Sequence, residues 1–162
     1  MPKIEMYRDM YEYEKDCNRK MLTMIESAPE AKRTDARFQQ AVTLADHLAF
    51  CREYWLNLLQ GADENQGEFF EKTADLTSLR PRFAAIEARW TAYLADLDDA
   101  GLSRRFELAF GDFRMDWYVE GQILQLLCHA PYHRGQIALL MDQLGGETVD
   151  TDYLFYARPL EI

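Results

Sequence analysis

His129 and His133 stand four residues apart in "LLCHAPYHRGQ", and the third histidine of the chain, His47, sits in "TLADHLAFCR". Four residues of α-helix turn through about 400°, so His129 and His133 share a face about 40° apart. Leu126, Ile137 and Leu140 lie within a few tens of degrees of His133, which turns both imidazoles toward an apolar interior. On its own helix His47 is about 60° from Leu44 and about 40° from Cys51, at the edge of an apolar stripe. All three rings can therefore meet inside one domain. A histidine at a core edge can simply hydrogen-bond to a neighbour, and each of the three taken singly is explained that way. Burying two of them one turn apart costs desolvation unless something bonds to both, and a divalent cation does so while selecting the neutral ring. Three neutral nitrogens leave positions free on zinc, nickel or a similar ion, as in a reactive centre rather than a closed structural one. Water or a thiolate would fit there.

The neighbours of these histidines add candidates. Gln136 is about 60° from His133 on the same side and could orient a ligand or substrate, or serve ordinary packing, and Gly135 removes bulk where another helix could approach. Cys51 follows His47 by one turn and is either a fourth, soft ligand or a buried apolar thiol, whereas Cys128 points away from the His133 face. Asp46, Glu120 and Asp142 are candidate acceptors for the outer N–H groups of ligand imidazoles, because metal-bound histidines usually donate through their other nitrogen. No Glu stands beside a histidine in the His-Glu-x-x-His manner, so no general base for water is visible. Pro131 removes a backbone donor between the paired histidines and predicts a local kink.

Helices must position these groups. Residues 3 to 27 carry an apolar stripe that ends at "SAPEAK", and Asp35 can cap a second helix that runs to Gln60, where Leu44, Leu48, Cys51, Trp55 and Leu58 keep three-four spacing before Gly61. "GADENQGEFFEKTADLTSLR", residues 61 to 80, reads as a polar connection with one helical turn around Phe69 and Phe70, long enough to border or cover a site. A third helix fits Ser78 to Asp99, with Pro81 in its first turn and Gly101 beyond its end. "RRFELAFGDFRMDWYV" alternates and breaks at Gly111-Asp112, a short hairpin or an irregular crossover. The last helix spans Val119 to Leu144 and stops at Gly145-Gly146, and the aromatic tail is expected to dock on the bundle.

The 162 residues fit one domain spanning 1–162, and 48% hydrophobic against 28% charged residues is the composition of a folded globular protein. A formal net charge of −10 with no Lys/Arg cluster argues against nucleic acid or an anionic membrane surface as partner. The apolar runs fall far short of the roughly 20 residues that cross a bilayer, and "MPKIEMYRDMYEYEKD" has charges where a signal peptide has an apolar core. Three widely spaced cysteines do not form a disulfide framework and suit a reducing cytoplasm.

"HAPYHRGQIALLMDQLGG" resembles the closing motif of the DinB-like family, also called YfiT-like. Leu144-Gly145 at the end of the last helix and Asp152 before Tyr153 extend the likeness over nearly the whole chain, while Pro131 departs from it. The resemblance implies an all-α four-helix bundle, often a homodimer, with a divalent metal (Zn or Ni) held by His47, His129 and His133. It also implies a transferase-like use of a low-molecular-weight thiol, activated on the metal and presented to an electrophilic substrate. A metal-dependent hydrolase using activated water, and a non-catalytic stress-response protein braced by a structural metal, are the alternatives.

Overall fold

The computed structural model describes residues 2–62, 69–70, 74–110 and 112–157. Helix α1 covers Lys3–Glu26, α2 Ala36–Leu59, α3 Leu76–Asp96, α4 Asp99–Leu102, α5 Val119–Leu144 and α6 Tyr153–Ala157; strands β1, Arg105–Phe110, and β2, Phe113–Tyr118, precede α5. The fold is all-α, with one small antiparallel hairpin.

Each long helix has a chemical start or stop. Asp35 accepts the backbone N–H of Arg37 at 2.9 Å to open α2, and Asp75 does the same for Thr77 at 3.3 Å to open α3. Gly61 and Gly145, at φ 73° and 79°, follow α2 and α5 and let the chain turn left-handed, so that Ala62 N–H reaches the Asn57 carbonyl at 2.9 Å and Gly146 N–H that of Met141 at 2.9 Å. Two details differ from the sequence expectation for the third helix. The Asp75 cap starts it two residues earlier, which puts Pro81 in the second turn, where its missing N–H leaves the Thr77 carbonyl without the usual partner. Its end comes at Asp96, because Leu97 is extended and Asp98 caps a new short helix, accepting Gly101 N–H at 2.7 Å.

Two apolar clusters fix the packing. The upper one joins Met21, Met24 and Ile25 of α1, Phe38 to Ala49 of α2, Leu79 and Phe83 of α3, and Ala130, Ile137 and Met141 of α5. The lower one joins Ile4, Tyr7 and Tyr11 of α1, Leu56 and Leu59 of α2, Ile86, Trp90 and Leu94 of α3, and Val119, Ile123 and Leu126 of α5. α1 and α5 thus run upward while α2 and α3 run downward. α2 packs on α3 and α5, α1 packs on α3 and α5, and α1 faces α2 more remotely, across the diagonal. α2 and α3 are parallel; between them Phe69 and Phe70 form a turn, and residues 63–68 and 71–73 of the expected covering segment lie outside the described residues.

The alternating segment before α5 is a hairpin, paired from Arg105↔Tyr118 to Phe110↔Phe113. It seats on α5 at Gly121, where a Cβ would come within 2.8 Å of Tyr118 and 2.9 Å of Trp117, so the close approach itself requires glycine. The tail docks on α1: Tyr13 donates its hydroxyl to the Thr151 carbonyl at 2.6 Å and stands edge-on to Tyr153 at 5.2 Å. α5 continues unbroken through Pro131, which lies on its exposed side.

Candidate metal centre

His47 sits midway along α2 and His129 and His133 midway along α5, at the groove where these two helices pack. The structure brings all three imidazoles together. His129 Nε2 is 3.4 Å from His47 Nε2 and 3.0 Å from His133 Nε2, and the His47 and His133 ring centroids are 4.8 Å apart. Nitrogens about 2.1 Å from one ion, at tetrahedral to octahedral angles, stand about 3.0–3.4 Å apart, and the two Nε2 separations from His129 fall in that range.

Hydrogen bonds at the far side of two rings set which nitrogen is free. His47 Nδ1 is 2.5 Å from the Phe69 carbonyl and His133 Nδ1 is 2.8 Å from Gln136 Oε1; a carbonyl only accepts, so each Nδ1 carries the proton and each Nε2 presents a lone pair. His129 therefore faces a lone pair on both sides, and a proton on its own Nε2 can serve only one of them. A cation at the centre serves all three. Burial favours the neutral form of two rings: it lowers the pKa of His47, and for His129 burial, joined by repulsion from His133, His47 and Arg52, lowers it to about 4.

Cys51 lies beneath His47, its Sγ 3.6 Å from Nε2, and Cys51, His47 and His129 offer ligand atoms all within 4.8 Å of one another. This His-Cys-His group could hold a metal ion. Burial pushes the Cys51 thiol up to about 12, which keeps it protonated while no ion is bound. Cys128 is exposed, on the other side of α5 from His133.

The acids weighed as outer acceptors are engaged elsewhere: Asp46 in an ion pair with Arg82 at 2.6 Å, and Glu120 with the Tyr7 hydroxyl at 2.8 Å. Asp142 is exposed and, nine residues past His133, lies on the opposite side of α5. Gln136 fills the acceptor role for His133, one turn along the same helix, and the Phe69 carbonyl fills it for His47. Phe70 also stacks on the His47 ring at 4.1 Å and 7°. No spacing rule marks a backbone carbonyl in a polar connection as a partner of a residue 22 positions earlier.

Four main helices arranged up, down, down, up, with three imidazoles converging in the α2–α5 groove, define a helical-bundle protein with a candidate metal site. The chain matches the DinB family over residues 1–161 and belongs to it. No curated protein and no solved structure matches the chain.

Proposed function

We propose that His47, His129 and His133 bind a divalent ion, zinc or nickel, and that the centre activates a low-molecular-weight thiol for transfer to an electrophilic substrate. The observation that carries this reading is geometric: with their Nδ1 atoms against the Phe69 carbonyl and Gln136 Oε1, His47 and His133 bring their Nε2 atoms to 3.4 and 3.0 Å from His129 Nε2, and the lone pairs that this arrangement implies converge there. Bound there, a divalent ion supplies the positive charge that draws the proton from a thiol at neutral pH. The chain's own residues do the rest. Gln136 and the Phe69 carbonyl orient two rings, burial favours the binding-competent neutral form of His47 and His129, and Phe50, Phe69 and Phe70 wall the α2 side with apolar surface. With the Cys51 thiol held protonated by burial, three neutral ligands neither complete a tetrahedron nor neutralise a divalent charge, which favours an anionic outside donor, and a thiolate meets both needs.

No described helix is long and apolar enough to cross a membrane. The proposal places the protein in the cytoplasm, where thiol cosubstrates are kept reduced, and as a homodimer joined along the outward side of α5, where Leu124, Tyr132 and Leu139 are exposed. Metal analysis of the purified protein, followed by a screen of bacillithiol, mycothiol and glutathione with an electrophilic acceptor, tests the reading. One ion per chain and thiol-dependent product are expected. Metal-dependent hydrolysis without thiol would replace it with the hydrolase alternative, and a bound ion with no activity would leave only a structural metal.

A further inference from the structure

Between the upper and lower apolar clusters lies a layer of fully buried polar side chains. Glu14 of α1 and Asn18 beside it are completely enclosed, and Arg52 of α2 and Arg134 of α5 are each 2% exposed. One carboxylate oxygen of Glu14 accepts from Arg52 Nη2, and the other accepts from Arg134 Nη1 at 2.8 Å. Arg52 is further fixed by Nη1 donating to the Leu48 carbonyl at 2.8 Å, and its own carbonyl accepts Trp90 Nε1–H at 3.0 Å. Asn18 donates to Glu87 of α3 at 3.0 Å, so the layer reaches all four long helices.

The two arginines come from the two helices that carry the histidines. Arg134 is the residue after His133, and Arg52 follows His47 by five positions and Cys51 by one. α1 supplies no histidine, yet its single carboxylate holds both ligand helices, one by each oxygen. We infer that Glu14 is the positioning residue of the metal centre: by clamping Arg52 and Arg134 it sets the axial register and separation of α2 and α5, and through them the spacing of the three Nε2 atoms. The physical ground is that apolar packing tolerates small slides between helices, whereas two charge-assisted hydrogen bonds to one buried carboxylate do not. Imidazoles on adjoining turns inherit whatever register the clamp imposes. This inference rests on the proposed metal site.

The test titrates metal-free full-length protein with Co²⁺ and compares affinity and visible spectrum across variants. Glu14→Gln keeps the shape of the clamp and removes its charge. The triple variant Glu14→Leu/Arg52→Met/Arg134→Met removes all three charges together, so no orphan ion is left in the core, and it decides the matter if Glu14→Gln does not fold. Leu94→Ala, a cavity in the lower core, controls for lost stability alone. The triple variant is expected to keep wild-type helicity by circular dichroism but to bind Co²⁺ about tenfold or more weakly, with shifted or broadened visible bands, whereas Leu94→Ala keeps both affinity and bands. Wild-type affinity and spectrum in the triple variant, or equal weakening in Leu94→Ala, would overturn the inference and leave the metal reading standing. A wild-type chain that takes up no ion would instead contradict the metal reading, and this inference with it.

Discussion

His129 has an imidazole lone pair on either side of it, and the consequences are testable one side chain at a time. Gln136→Leu removes the acceptor of the His133 Nδ1 proton and frees the ring to rotate or change tautomer. Metal affinity is expected to fall roughly 10- to 100-fold, the usual effect of losing an outer partner, while the fold is retained, as isothermal titration and circular dichroism would report. The pH dependence has a defined sign. The folded-state pKa of His129 is lowered to about 4 from the ordinary 6.5, so the unfolded chain binds more protons between these values. Stability of the metal-free protein that comes from His129 is therefore intact above about pH 6.5 and is lost as the pH falls toward 4, with His47 acting in the same direction. Denaturant midpoints measured from pH 7 to pH 4 should decline over that window, and His129→Gln should flatten the decline.

Helix faces were legible because apolar periodicity and caps are local. The stripes of α2 and α5, the Asp35 cap and the Gly145 stop all follow from spacing, and the same arithmetic aims the three histidines inward. What spacing does not carry is the partner of a buried polar group. Glu14 occupies the slot between Tyr11 and Cys17 on the inner face of α1, which marks it as an anomaly, but only the folded bundle shows that Arg52 and Arg134 reach it from two other helices. Likewise the Pro81 position in α3 shifted because the cap at Asp75, six residues before the proline, outweighs the helix-starting preference of proline. Hairpin and helix meet at Gly121, and Gly121→Ala should cost about 1–3 kcal/mol through contacts of 2.8–2.9 Å with two aromatic rings. Gly135, on the exposed side of the same helix, has nothing within 4 Å of a built Cβ, so Gly135→Ala should not destabilise the isolated chain. Thermal melts of the two variants compare these directly.

The assembled molecule places charge and apolar surface apart. With a net charge of −10 two copies repel one another at long range, and the outward side of α5 offers them an apolar face of Leu124, Tyr132 and Leu139. A homodimer on that face predicts about twice 19.0 kDa by light scattering at micromolar concentration, and Leu139→Glu should return it to a single chain. The family assignment and the all-α bundle stand apart from any ion, since both follow from the whole chain and its core. The proposed function rests on the histidine centre, and its most direct measurement is the visible spectrum of the cobalt-substituted protein titrated with a small thiol. The account predicts one Co²⁺ per chain, a thiolate-to-cobalt charge-transfer band that grows with thiol and saturates, and loss of both in His47→Ala. A wild-type chain that binds no cobalt, or a cobalt spectrum that no thiol perturbs, would contradict it.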